Sequence, residues 1–314
     1  MLKRCIVLYA QDALAFHSDV KVASSCEDPQ PSRESNCEAL RSVSKAGASG
    51  LLVWRKSQTN KAYPSELEQV GQILGQHEWH EGREWYSSLE KDFNRAKCCL
   101  LSNSDATLQT FKQAFSRTES WVHGVQGAAS PASQIQTSLG NAIEEDFDLI
   151  FIHALFRNLL KEAEAGQSNQ PKDPLVALDD VVKMLVEQYV DETTMLVLLL
   201  GDGQSQQDHG IVLENRGREV NGQGALNNAS ACARLPYLPK QSYQFSNGEL
   251  IEDWCDTGFV LSIHYSPVNH IRKDLVDRPS ITEAYRKGGN GISLASHFLK
   301  SVMYNLLKAP KYGA

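Results

Sequence analysis

Apolar residues gather along this chain in short unbroken runs, separated by stretches with helical spacing. The runs are RCIVLYA (4–10), GLLVW (50–54), AKCCLLS (96–102), DLIFIH (148–153), MLVLLL (195–200) and FVLSIHYS (259–266). Each has the length of a strand, and the continuous apolar face of DLIFIH points to a central parallel strand. Between them, NCEALRSVSKAG reads as a helix stopped by Gly47, and SELEQVGQILG places Leu67, Val70, Ile73 and Leu74 on one helical face. SDATLQTFKQAF reads as a helix capped by Ser104, and SQIQTSLGNAIEED as another. The clearest helix has Asp173 as cap and Pro174 at its first position, with Leu178, Val181, Val182, Leu185 and Tyr189 on one face. SLASHFLKSVMYNLLKA closes the chain as an amphipathic helix with Leu294, Phe298, Val302 and Leu306 inward. Residues 76–94 lack clear periodicity, and the Gly-, Asn- and Gln-rich segment 214–253 reads mostly as loop.

Alternating strands and helices predict an α/β fold with a mainly parallel sheet between helices, in one domain spanning 1–314. In such sheets ligands bind beyond the carboxyl ends of the strands. Three strands end in groups able to bind a cation: Asp12 follows the first, His153 with Asn158 beyond ends another, and Asp202 follows MLVLLL.

Composition narrows the function. A formal charge of −7 with no basic tract argues against a nucleic-acid or membrane-surface partner. Seven cysteines without a CxxC pair do not form a disulfide framework or a zinc cluster. No apolar run approaches the ~20 residues of a membrane span. The basic start of MLKRCIVLYAQDALAF resembles a leader, but Gln11 and Asp12 interrupt its apolar run, so a first strand is expected. The expectation is a reduced, cytoplasmic protein.

Several segments, in order, resemble the archaeal-type cofactor-independent phosphoglycerate mutases of the alkaline phosphatase superfamily. RKGGNGISLASHFLKSVMYNLLKAPKYGA is similar to that family's closing segment, NCEALRSVSKAGASGLL to its early helix and turn, and IVLYAQDALA to its opening strand. DFDLIFIH and MLVLLLGDG match two later strands in position and character. The resemblance implies an alkaline phosphatase-like core with the family's inserted lid domain largely missing, residues 76–95 being its reduced remnant. It also implies two divalent ions, Mn2+ or Mg2+, and a serine that accepts the phosphoryl group.

Carried over position by position, Asp12 stands for the first metal-binding Asp, although Ala13 replaces the usual Gly. Ser65 stands for the nucleophile, and Asp202 for the Asp of an Asp-His pair whose His is here Gly203. His209 stands for the last histidine ligand. Asn158 and Glu162 occupy the places of an Asp and a His spaced to share one helix face. Three expected ligands are therefore altered.

Each of these residues has a plainer reading. SELE is a Ser-x-x-Glu capping box, in which Ser65 and Glu68 satisfy N–H groups at a helix start. Asp202 also suits a Gly-Asp-Gly turn, and His209 lies in a polar loop. HEWHEGREW, with its two histidines three apart, is not an HExxH motif and reads as a solvated segment. RGREVNGQG lacks the Lys-Ser/Thr ending of a phosphate loop. Two functions stay open. One is a catalytically impaired relative of the mutases, a pseudoenzyme that binds a phosphorylated small molecule or a protein partner. The other is a metal-dependent phosphotransferase, phosphatase or mutase using Ser65 with Asp12, Asp202, His209, Asn158 and Glu162 as ligands.

Overall fold

The computed structural model of the chain describes residues 2–13, 37–55, 64–75, 88–121, 130–155, 174–201, 245–246, 249–250, 254–268, 271–277 and 279–310. The first apolar run forms strand β1 (Arg4–Ala10), whose residues from Cys5 onward are all buried. It is followed by β2 (Ala48–Arg55), β3 (Cys98–Ser102), β4 (Arg117–Ser120), β5 (Leu149–Ala154) and β6 (Thr194–Gly201). A short ladder of β7 (Phe245–Ser246) and β8 (Glu249–Leu250) lies apart, and β9 (Trp254–Tyr265) and β10 (Gly291–Leu294) complete the set.

These strands form an eight-stranded sheet in the order β10-β2-β9-β6-β1-β5-β3-β4. β1 sits inside it, parallel to β5 on one side and to β6 on the other, with Cys5 opposite both Leu149 and Met195. β9 alone runs antiparallel, against β2 and β6. A run buried on both faces has the same apolar pattern in either direction, so FVLSIHYS carried no sign of its reversal.

Alternate residues of each strand face two helical layers. Ile6, Leu8 and Ala10 pack towards α1 (Glu38–Ala46), α5 (Pro131–Glu144) and α6 (Pro174–Gln188). Cys5, Val7 and Tyr9 face α2 (Glu66–Ile73), α3 (Leu89–Asp92) and α4 (Asp105–Phe111). α7 (Ile281–Lys287) joins the first layer and α8 (Ala295–Asn305) the second. Strand β10 takes residues expected in the closing helix, but Leu294, Phe298, Val302 and Leu306 are buried as their spacing requires. β4 escaped the apolar reading because RTES is a half-buried edge strand. The expected cap Asp173 lies outside the described residues, as does most of the lid remnant; within 88–95 only α3 and its turn are described.

Local chemistry fixes the helix starts. Ser104 and Ser130 accept from Thr107 and Ser133 backbone N–H groups, as caps of α4 and α5. α1 has no cap of its own, and Asp179 of α6 replaces it, accepting from Leu40 N–H at 2.7 Å and Ala39 N–H at 3.4 Å. Burial raises the Asp179 pKa against the opposing pull of those donors. Cys5, Cys98 and Cys99 are buried free thiols, and burial pushes Cys99 up to about 12. Among the described residues no helix is long and apolar enough to cross a membrane.

His264, near the end of β9, meets the Phe298 ring edge-on at 6.1 Å, and burial pushes its pKa down to about 4. The folded state therefore prefers the neutral ring, whereas the unfolded chain protonates near 6.5. The stability this confers is complete above 6.5 and is lost as pH falls towards about 4. Urea denaturation across that range is expected to show a falling midpoint in the wild type and a shallower fall in His264→Gln; parallel curves would contradict the assignment.

Candidate functional site

The parallel strands deliver their carboxyl ends to one edge of the sheet. There β1 runs into Gln11 and Asp12, β3 ends at Ser102, β5 at Ala154, and α2 begins after Ser65. Asp12 is 4% exposed, which places a carboxylate in the interior just beyond the buried strand β1. At Gly201, the end of β6, an added Cβ would lie 2.3 Å from the backbone oxygen of Gln11. The first glycine of GDG is thus required by close packing of two strand ends. Asp202 follows it in the chain but lies outside the described residues, as do Asn158, Glu162 and His209.

Ser65 forms the capping box that its sequence offers. Its hydroxyl accepts from Glu68 N–H at 3.3 Å, and Glu68 Oε2 accepts from Ser65 N–H at 2.7 Å. The carboxylate beside it, Glu66, accepts at Oε1 from Ser104 Oγ at 2.9 Å and Thr107 Oγ1 at 3.5 Å. This ties the start of α2 to the start of α4.

Between Asp12 and Ser65 runs a buried chain of neutral polar groups. Gln69, one turn into α2, donates Nε2–H to the Pro64 carbonyl at 3.1 Å. Its Oε1 therefore faces inward, where it accepts from Tyr9 Oη at 2.7 Å and Gln11 Nε2 at 3.1 Å. That orientation turns Gln11 Oε1 to His153 Nε2, 2.7 Å away, so Nε2 carries the proton. Nδ1 of His153 then accepts from Ser102 Oγ at 2.9 Å, and Ser102 Oγ in turn accepts from Ser104 N–H at 3.0 Å. The Trp121 indole donates to the His153 carbonyl at 3.1 Å.

His153, expected to end its strand as a possible ligand, is instead a fully buried member of β5 with both ring nitrogens engaged. A ligating imidazole needs a free lone pair, and the only one in this tautomer is taken by Ser102. Beyond β5, Asn103 prolongs the ladder with its side chain, accepting from Leu155 N–H at 2.9 Å and donating to Leu155 O at 3.0 Å. Among the described residues no group of three His, Cys, Asp or Glu is placed to hold a metal ion.

The sequence reading missed Gln11, Gln69, Ser102 and Asn103. The available signal was Gln69 itself, a polar residue one turn before Ile73 on the buried side of α2. If the bonds form one network, the effects of Gln69→Leu and Ser102→Ala, which share no contact, should depart from additivity by about 0.5 kcal/mol or more in denaturant unfolding. Simple additivity would reduce the network to separate pairs.

No protein-family model and no curated protein matches the sequence. Solved structures do match in shape. The PH0037 protein from Pyrococcus horikoshii aligns over 100% of both chains with 12% identity and a TM-score of 0.54. A mutant alkaline phosphatase of the Antarctic bacterium TAB5, with Mg bound in its M3 site, aligns over 98% of this chain and 99% of its own, with 10% identity and a TM-score of 0.50. The mostly parallel eight-stranded sheet between two helical layers is an alkaline phosphatase-like α/β fold.

Proposed function

We propose that this chain is a catalytically impaired relative of the cofactor-independent phosphoglycerate mutases, a single alkaline phosphatase-like domain retained to bind a partner rather than to transfer phosphate. One observation carries this reading. The carboxyl edge is knitted together by neutral side chains bonded to one another, with the Ser65 hydroxyl turned to Glu68 N–H and the Glu66 carboxylate to Ser104 and Thr107. A phosphoryl-transfer site needs carboxylates and imidazoles turned towards metal and phosphate, and here His153 and Glu66 are turned towards the protein.

A second reading, a metal-dependent phosphotransferase or phosphatase, draws on a different observation. Asp12 is buried at the end of β1, and β1 and β6 end in such close contact at Gly201 that Asp12 and Asp202 follow neighbouring strand ends. In this reading Asp12, Asp202, His209, Asn158 and Glu162 would hold Mn2+ or Mg2+, consistent with the magnesium in the TAB5 enzyme mutant. The ion would lower the pKa of the Ser65 hydroxyl, and the amino end of α2 would favour the anion that results.

Manganese titration by calorimetry on the wild type and Asp202→Ala, beside hydrolysis of p-nitrophenyl phosphate, separates the two. The impaired-relative reading expects no heat that Asp202→Ala removes. It also expects Ser65→Ala to cost about 1 kcal/mol of stability, as a lost cap, with no change in background turnover. Tight manganese binding abolished by Asp202→Ala, together with turnover lost in Ser65→Ala, would establish the enzyme instead.

A further inference from the structure

Towards the β10 side of the sheet, in the cross-strand row that also carries Tyr9, a cavity of about 460 Å³ opens between α8 and strands β10, β2 and β9. Its floor is a cross-strand row of small residues: Gly291 pairs with Gly50, and Gly50 with Ser262. Two strand spacings make this bare strip ~10 Å wide. His297, Ser301 and Asn305, one per turn of α8, line the helix side, and Ser301 and Asn305 are exposed at the mouth. Leu52 and Phe298 supply apolar wall, with His264 against the Phe298 ring.

The rim is held by hydrogen bonds. Asp274 Oδ2 accepts from Ser49 N–H at 2.8 Å and Gly289 N–H at 2.6 Å, fixing the turn that leads into β10. Asn290 Nδ2 donates to Ala48 O at 3.3 Å across the same turn. Packing alone explains one floor residue, since a Cβ on Gly50 would fall 2.7 Å from Asn290 Cβ. It does not explain why Ser262 and Ser293 lie opposite a polar stripe of α8, where larger apolar residues would fill the space.

The chemistry of the lining restricts what could enter. Among the described residues that line it there is no Lys, Arg, Asp or Glu, so none of them offers a counter-charge to a phosphate or an organic cation. The His264 ring is neutral near physiological pH, its pKa lying at about 4. What remains is a set of hydroxyl, amide and imidazole groups beside one aromatic face, within the size range of small-ligand sites. We propose that this cavity binds a small uncharged ring bearing several hydroxyls, as found in a monosaccharide or in the ribose of a nucleoside. The ring lies over the glycine strip with an apolar side towards Phe298, and its hydroxyls reach the serine, asparagine and histidine side chains.

Saturation-transfer NMR on the full chain tests this with four probes: glucose, adenosine, glucose phosphate and adenosine monophosphate. At least one uncharged probe is expected to bind with a Kd of about 1 mM or tighter and to outbind its phosphorylated form about tenfold. Glucose against adenosine then distinguishes the two sources of the ring. Ser301→Phe fills the mouth from an exposed helix position and is expected to abolish the transfer with little change in Tm; Ser293→Val fills the floor and serves as the second variant. Absence of transfer from both uncharged probes, equal transfer in both filled variants, or preference for the phosphorylated forms would overturn the proposal.

Discussion

Loss of water around the end of β1 is the constraint on which the rest of this structure depends. A strand flanked on both sides by parallel neighbours and covered on both faces brings polar groups into the interior as soon as its apolar run stops. Tyr9, Gln11 and Asp12 are all buried, and a buried polar group without a partner costs about 1–3 kcal/mol. The fold meets that cost with amide, imidazole and hydroxyl groups drawn from α2, β3 and β5, each oriented by the one before it. The direction of every bond follows from a single fixed point, the Pro64 carbonyl that sets Gln69.

Most of the architecture was legible in the chain because burial on two faces leaves an unmistakable run of apolar residues. β1, β3, β5 and β6 fall where those runs fall, and the caps Ser65 and Ser104 stand where side-chain oxygen precedes a helical pattern. Elements that depend on edges or direction were not legible. RTES in β4 is too polar to announce a strand, and nothing in FVLSIHYS distinguishes antiparallel from parallel pairing. The carboxyl edge was legible only in part. Asp12 is placed by its position after β1, whereas Gln11 and Gln69 carry no chemical signature apart from their neighbours. Their roles arise from a packing of β1 against α2 that no local pattern encodes.

Two neighbouring regions of the sheet have acquired different characters. Around Tyr9 and His153, amide, imidazole and hydroxyl groups are tied to protein partners, and helix starts are bound to one another through Glu66 and Ser104. In the same cross-strand row, beyond β6, the small residues Ser262, Gly50 and Gly291 leave space beside α8. One sheet therefore supports a closed, internally bonded region and an open one side by side, with strand β6 between them.

The contact at Gly201 also bears on how such a chain changes over generations. Because the backbone of Gln11 occupies the space a side chain would need, the ends of β1 and β6 meet by close backbone packing. Side chains beyond these strand ends can then change without opening the sheet, since the contact is one of backbone. A lineage can pass from one chemistry to another, or to none, by exchanging side chains on an unaltered frame, and the same frame leaves the return path open.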